Sequence, residues 1–219
     1  MTNKFRGPLK GVILDWSGTI FDDLDPVIRT TNHVLQQFGL PALSRAEFRR
    51  EFQLPVRRFY EQRLPQVALA ELERIFLEKH PEHHDGIQPL PQTEEFLRFC
   101  RDQQLPVFIA STVDPLTYHS QMNRFGLAHY ITAAYLGIED KTVKIHQILA
   151  EHELDRRQTV FVGDMEHDLE AGQAGGVITC AVLTGYNDEA TLRALHPDLV
   201  CAHLGELQQL LLAPTGARG

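Results

Sequence analysis

The sequence predicts an α/β protein, a parallel sheet with helices on both faces and a smaller helical segment inserted after the first strand. Three observations carry that expectation. Short, continuously apolar runs recur along the chain, which suits strands buried on both faces. Amphipathic stretches lie between them, the alternation that a parallel sheet with right-handed crossovers requires. The alternation is interrupted once, from residue 22 to about residue 88, by helical periodicity without a convincing strand.

Taken in order, the first strand is the run Val12-Ile13-Leu14. In the inserted segment, Val27, Val34, Leu35 and Phe38 fall on one face of a helix over 26–38, and shorter helical patterns follow at 45–52 and 69–76. Pro89 and Pro91 mark the return to the sheet, because proline removes a backbone donor and biases its predecessor away from helix. Residues 1–21 and 89–219 are thus expected to form the core and 22–88 the smaller unit. Within the second part of the core, strands are expected around 107–109, 133–136, 160–162 and 180–183. Helices are expected at 93–103, 115–125, 141–152 and 168–174, and the end of the chain, 213–219, is expected to fray.

Composition narrows the function. At 219 residues, 43% hydrophobic and 23% charged, the chain suits one domain or two small ones and excludes a disordered tail or a fibre. It lacks the roughly 20 consecutive apolar residues of a membrane helix, and its first residues lack the apolar core of a secretory signal, so a soluble, cytoplasmic protein is expected. Twenty-nine acids against 21 bases leave a net charge of -8, which repels phosphate backbones and anionic lipid; neither nucleic acid nor membrane is an expected partner. Cys100, Cys180 and Cys201 form no CxxC pair and sit among apolar residues, so they read as buried packing groups.

In open parallel sheets, ligands bind beyond the carboxyl ends of the strands. The first run ends in Asp15, the second in Ser111 and Thr112, and the run over 159–163 in Asp164, with Asp168 one helical turn further on. Lys141 opens the helix before that last strand. Carboxylates on different strands can share a hard cation such as Mg²⁺, hydroxyls and a lysine can hold phosphate oxygens, and one carboxylate can attack phosphorus. Those parts suit phosphoryl transfer. Either Ser111 or Thr112 could contact the phosphoryl group, with Ser111 favoured because it directly ends the apolar run. Lys144 competes with Lys141, but Lys141 lies one turn before Ile145 on the buried stripe, at the helix start facing the strand ends.

At these residues the chain resembles the haloacid dehalogenase superfamily of hydrolases. The resemblance rests on Asp15-Trp16-Ser17-Gly18-Thr19, on Ser111-Thr112, on Lys141, and on Gly163-Asp164-Met165-Glu166-His167-Asp168 followed by Ala171-Gly172, and it spans essentially the whole chain. It implies a Rossmann-like core with a helical cap, an Asp15 nucleophile forming an aspartyl-phosphate, and Mg²⁺ held by Asp15, the backbone carbonyl of Ser17, and Asp164. It further implies that Asp168 supports the metal site from behind, that Ser111 binds the phosphoryl group, and that Lys141 neutralises charge. The substrate implied is a small phosphorylated metabolite, in a branch similar to phosphoglycolate phosphatases.

The chain departs from that family at Ser17, where the usual signature has a second aspartate acting as general acid and base. A serine hydroxyl near its ordinary pKa is a poor proton shuttle, so hydrolysis of alkyl phosphates is expected to suffer. One alternative follows from the similarity of Asp15-Trp16-Ser17-Gly18-Thr19 to the phosphonoacetaldehyde hydrolase form. That chemistry needs a cap lysine near residues 47–58, where this chain has arginines and Val56, and arginine does not form the imine. The cap's lysine is Lys79. The other alternative is a binding or regulatory protein with little turnover. Within the cap, Arg57 and Arg58 follow Leu54-Pro55 and are candidates for a second anionic group on the substrate. His80, His83, His84 and Asp85 have zinc-ligand chemistry but read more simply as a polar loop. Trp16 is expected to pack beside the nucleophile.

Overall fold

The computed structural model describes residues 8–83 and 86–213. Six strands, β1 (Gly11–Leu14), β2 (Val107–Ala110), β3 (Ala133–Tyr135), β4 (Thr159–Gly163), β5 (Ile178–Val182) and β6 (Leu199–Cys201), form one sheet in the order β3-β2-β1-β4-β5-β6. Every pairing is parallel. The expected runs become β1 to β5. β6 was not anticipated, because three residues, two of them only half-buried, give too short a pattern to read.

The side-chain alternation of the strands sorts the helices onto two faces. Val12, Leu14, Val160 and Val162 point to the face covered by α5 (Thr93–Asp102), α6 (Pro115–Phe125) and α10 (Leu204–Leu212). Ile13, Phe108 and Phe161 point to the opposite face, against α7 (Lys141–Glu151) and α8 (Glu166–Gly175), while α9 (Glu189–Ala194) packs Leu192 against Leu169 and Ala181. Both faces of the central strands are therefore dry, as their unbroken apolar sequences require.

Between β1 and α5 the described chain is helical: α1 (Leu24–Gln37), α2 (Arg45–Glu51), α3 (Val56–Glu61) and α4 (Leu69–His83). These helices bury their own cluster around Leu35, Phe48, Phe59 and Leu72, and two residues from the other side of the molecule, Met165 and Tyr186, complete it. Phe21 pairs with Pro89 across the neck of the insertion. α4 runs through Pro81, further than the pattern over 69–76 suggested. His80 and His83 share the hydroxyl of Thr30, while His84 and Asp85 lie outside the described residues. All three cysteines are buried and free. No helix among the described residues is long and apolar enough to cross a membrane.

Candidate active site

β1 and β4 are neighbours in register, Leu14 beside Val162, so the residues that follow them emerge together at the carboxyl edge of the sheet. The amide of Asp15 donates to the carbonyl of Val162 at 2.9 Å and keeps the ladder intact to that edge. Asp164 follows β4, and Asp168 stands in the first turn of α8. Each of the three offers a carboxylate oxygen to a group no more than 4.8 Å across, and all three are buried. Asp140 caps α7 by accepting from the amide of Thr142, which fixes the start of that helix. From there the Lys141 ammonium donates to Asp15 Oδ1 at 2.5 Å and Asp168 Oδ1 at 2.7 Å.

Asp164 is held from two sides. Thr19 Oγ1 donates to its Oδ1 at 2.8 Å, and the backbone amide of Tyr186 donates to its Oδ2 at 2.7 Å. The chain passes so close here that a Cβ at Gly18 would lie 2.4 Å from Asp164 Oδ2 and one at Gly185 only 1.9 Å away. Gly18 also adopts φ +70°, so glycine is required there twice over.

Burial raises the pKa of Asp15, Asp164 and Asp168 above the usual carboxylate range. For Asp15 the charge of Lys141 works against that rise and Asp168 adds to it; for Asp164 the charges of Asp15 and Asp168 both add to it. Burial alone would depress Lys141, but Asp15 and Asp168 together lift it above the ordinary lysine value, so it stays charged. Three carboxylates facing one ammonium leave an excess of two negative charges when ionised. Hard oxygen donors with uncompensated negative charge suit a divalent metal ion.

Four further groups surround this cluster. Ser111 is buried after β2; its hydroxyl accepts from the amide of Val113 at 3.2 Å and keeps its own proton to donate, while Thr112 is exposed. His167 Nε2 lies 3.3 Å from Asp168 Oδ1 without forming a hydrogen bond, and burial followed by the charge of Lys141 pushes its pKa down to about 3, so the ring is neutral. Ser17 turns its hydroxyl to the Asp23 carboxylate, which also receives the hydroxyl of Tyr186. Burial pushes Asp23 up to about 7, and its Oδ1, shut off from solvent, has no hydrogen-bond partner among the described residues.

The remaining candidates lie elsewhere. Lys144 donates to Gln147 and sits over the Tyr135 ring, away from the carboxylates that Lys141 reaches. Arg57 and Arg58 are exposed on α3, with Arg57 paired to Glu61, and no hydrogen bond among the described residues joins either to the cluster. Lys79 pairs with Glu82 on α4. Trp16 is buried between Phe21 and Tyr118 in tilted ring contacts, with its indole N–H donating to Gln121. Sequence reasoning passed over Asp23, Tyr186 and Asn187. Asn187 ties the two units together: its amide group donates to the carbonyls of Arg49 and Phe52, and Arg49 Nη2 donates back to the carbonyls of Leu183 and Asn187.

The haloacid dehalogenase-like hydrolase family model matches residues 12–182, from β1 to the end of β5, and so takes in every member of the carboxylate–lysine cluster. The chain belongs to this family. This haloacid dehalogenase-like hydrolase is 26% identical to a phosphoglycolate phosphatase of Yersinia pseudotuberculosis, over 97% of each chain. It is 20% identical to the pyrophosphatase PpaX of Oceanobacillus iheyensis, over 91% of this chain and 95% of that one. Among solved structures, a predicted phosphoglycolate phosphatase from Haemophilus somnus superposes with a TM-score of 0.73 at 16% identity, covering 96% of this chain and 99% of that one. A predicted phosphatase from Clostridium acetobutylicum gives 0.77 at 13% identity, covering 95% and 100%. These structures share the hydrolase's fold.

Proposed function

We propose that the protein is a Mg²⁺-dependent phosphatase of small phosphorylated metabolites, working through an aspartyl-phosphate on Asp15. The observation that carries this reading is the Lys141 bridge between Asp15 and Asp168, in a dry site where Asp164 adds a third carboxylate. Asp15 attacks phosphorus as the ester P–O bond breaks, and water then splits the Asp15–phosphorus linkage to release phosphate. Lys141 holds Asp15 in place and neutralises charge on the phosphoryl oxygens, and the Ser111 hydroxyl donates to one of them. Asp15 and Asp164 hold the Mg²⁺, which when bound screens the negative charge of nucleophile and phosphoryl group from each other. Asp168 keeps Lys141 in place. Residues 22–88 serve as a cap that excludes water and selects the substrate, a reading supported by its separate apolar cluster and its attachment through Asn187.

The test is release of inorganic phosphate from a panel of phosphorylated metabolites, with Mg²⁺ and with chelator, by the native protein and by Asp15→Asn. The reading expects at least one ester to be cleaved with Mg²⁺ by the native protein and none by the variant. Binding of phosphorylated ligands without turnover would instead favour the regulatory alternative, and phosphate release that survives Asp15→Asn would overturn the nucleophile.

A further inference from the structure

We propose that Arg49 of the cap is a positioning residue for Asp164, acting through the loop 183–187, which it clamps at both ends. The proposal rests on the phosphatase reading for the metal role of Asp164. No hydrogen bond or ion pair among the described residues joins Arg49 to the three carboxylates, so its effect on them passes through the loop.

The loop is moulded on Asp164. It leaves β5 at Leu183 and ends at Asn187, just before the cap residue of α9. Between those ends the hydroxyl of Thr184 donates to the carbonyl of Gly18 at 2.5 Å, and Gly185 packs directly against the Asp164 carboxylate. The amide of Tyr186 donates to Asp164 Oδ2 at 2.7 Å, and that of Asn187 to the Asp164 backbone carbonyl at 3.2 Å. The segment belongs to no helix or strand, so no ladder of its own fixes its shape. What holds the loop therefore helps to hold Asp164.

Arg49 grips the loop by side chain and backbone together. The two protons of one guanidinium nitrogen, Nη2, go to the carbonyls of Leu183 at 3.1 Å and Asn187 at 2.8 Å, the first and last residues of the segment. Arg49 also lies in the last turn of α2, where carbonyls lack a partner in their own helix. Its carbonyl accepts instead from the Asp188 amide at 3.2 Å and from Asn187 Nδ2 at 3.4 Å. The neighbouring cap arginines are used differently: Arg45, Arg50, Arg57 and Arg63 each pair with a carboxylate. Arg49 makes no such pair among the described residues and gives its charged donors to backbone carbonyls of the core.

A linkage follows. With the cap seated, the loop is clamped and Asp164 is held for the metal; with the cap displaced, both loop carbonyls are released. Two events that favour each other do so by the same factor in both directions. Seating of the cap and binding of Mg²⁺ therefore promote one another.

The experiment is calorimetric titration of Mg²⁺ into the native protein and into Arg49→Met, which keeps the apolar stem and removes the donors. Affinity is expected to fall about 10-fold, the lower end of the loss that follows removal of an outer partner of a metal site. Arg49→Lys keeps the charge and has three N–H donors, so it should recover most of that loss. Arg63→Met removes a cap arginine bonded to Glu51 and Phe59 rather than to the loop; it should lower stability and leave Mg²⁺ affinity at the native value. Reciprocity supplies a second readout: Mg²⁺ should slow hydrogen exchange at the carboxyl end of α2 in the native protein and not in Arg49→Met. Exchange in the native protein carries the test should Arg49→Met fail to fold. Native affinity in Arg49→Met, an equal loss in Arg63→Met, or exchange in α2 that Mg²⁺ does not alter overturns the clamp. A native protein that binds Mg²⁺ but releases phosphate from no ester overturns the phosphatase reading alone, so the two failures are distinguishable.

Discussion

The backbone amide of Tyr186 donates to Asp164 Oδ2 at 2.7 Å, while the ring of the same residue lies 5.6 Å from Phe52 in the aromatic cluster of the helical insertion. One residue thus touches both the carboxylate site and the insertion. Asn187, next in the chain, extends the link: its Oδ1 accepts from the amide of Glu166 at the start of α8, and its Nδ2 donates to Phe52 at the end of α2. Covalent and hydrogen bonds thus join the insertion to the carboxylate that follows β4.

Asn187→Ala is the direct test of that coupling. The substitution leaves the Phe52 carbonyl and the Glu166 amide without partners, at a cost of about 1–3 kcal/mol for each buried group left unsatisfied. Urea denaturation should show the loss. Titration calorimetry should show weaker Mg²⁺ binding as well, although Asn187 is not placed to touch the ion. Unchanged metal affinity in a destabilised variant would mean that the loop holds Asp164 independently of the insertion.

The two lysines of α7 should separate cleanly. Lys141→Ala strips Asp15 and Asp168 of their shared cation inside a buried cluster, and breaking such a pair by removing one partner costs about 3–5 kcal/mol. Turnover should fall by orders of magnitude. Lys144→Ala removes only a half-buried contact with Gln147 and Tyr135 and should shift stability by no more than about 0.5 kcal/mol. Thermal denaturation and initial rates on both variants would settle the ranking, and equal losses would contradict it.

Much of this arrangement was legible in the chain. Val12-Ile13-Leu14 and Val160-Phe161-Val162 are apolar on both faces, which marks them as central strands and their next residues as occupants of the ligand-binding edge. Lys141 could be placed because Ile145, Ile148 and Leu149 define the buried stripe of its helix. Asp23 could not, because an aspartate before an amphipathic helix looks like an ordinary cap, and only the coordinates show that its side chain turns away. Tyr186 and Asn187 lie in a loop without periodicity, where nothing local reveals a partner over 130 residues distant in Arg49 or Phe52. For Arg57 and Arg58, two adjacent cations after a proline, the structure adds only that both are exposed on α3 and that Arg57 pairs with Glu61.

Stability without metal should fall as pH rises above the range where His167 acts. Asp23, Asp15 and Asp164 keep their protons to higher pH folded than unfolded, Asp23 to about 7. The folded state then holds more protons than the unfolded one between the ordinary carboxylate range and those raised values, and stability declines with pH through that window. His167, with a pKa of about 3 folded against 6.5 unfolded, works in the opposite direction only below about 6.5. Denaturation midpoints between pH ~6.5 and ~8 should therefore drop, and Asp23→Asn should flatten the drop near 7. Midpoints that rise across this range would contradict the carboxylate assignments.

The metal-site roles of Asp164 and Asp168 lead to different expectations for their variants. Asp168 accepts from Lys141 on one oxygen and from the amide of Met165 on the other, so both of its oxygens already serve to fix the lysine and the start of α8. Asp164 is steadied by Thr19 and Tyr186 and, among the described residues, makes no ion pair like the one Lys141 makes with Asp168. Asp164→Ala should therefore abolish Mg²⁺ binding in calorimetry, whereas Asp168→Ala should weaken it while leaving it measurable. Thr19→Val keeps the shape of the residue but removes the hydroxyl that orients Asp164, and loss of such an orienting partner typically lowers metal affinity about 10- to 100-fold. The three variants should rank Asp164→Ala, Asp168→Ala, Thr19→Val in order of decreasing loss. Retention of native affinity in Asp164→Ala would remove that residue from the site, and a Thr19→Val protein with unchanged affinity would show that the Tyr186 amide alone holds the carboxylate in place.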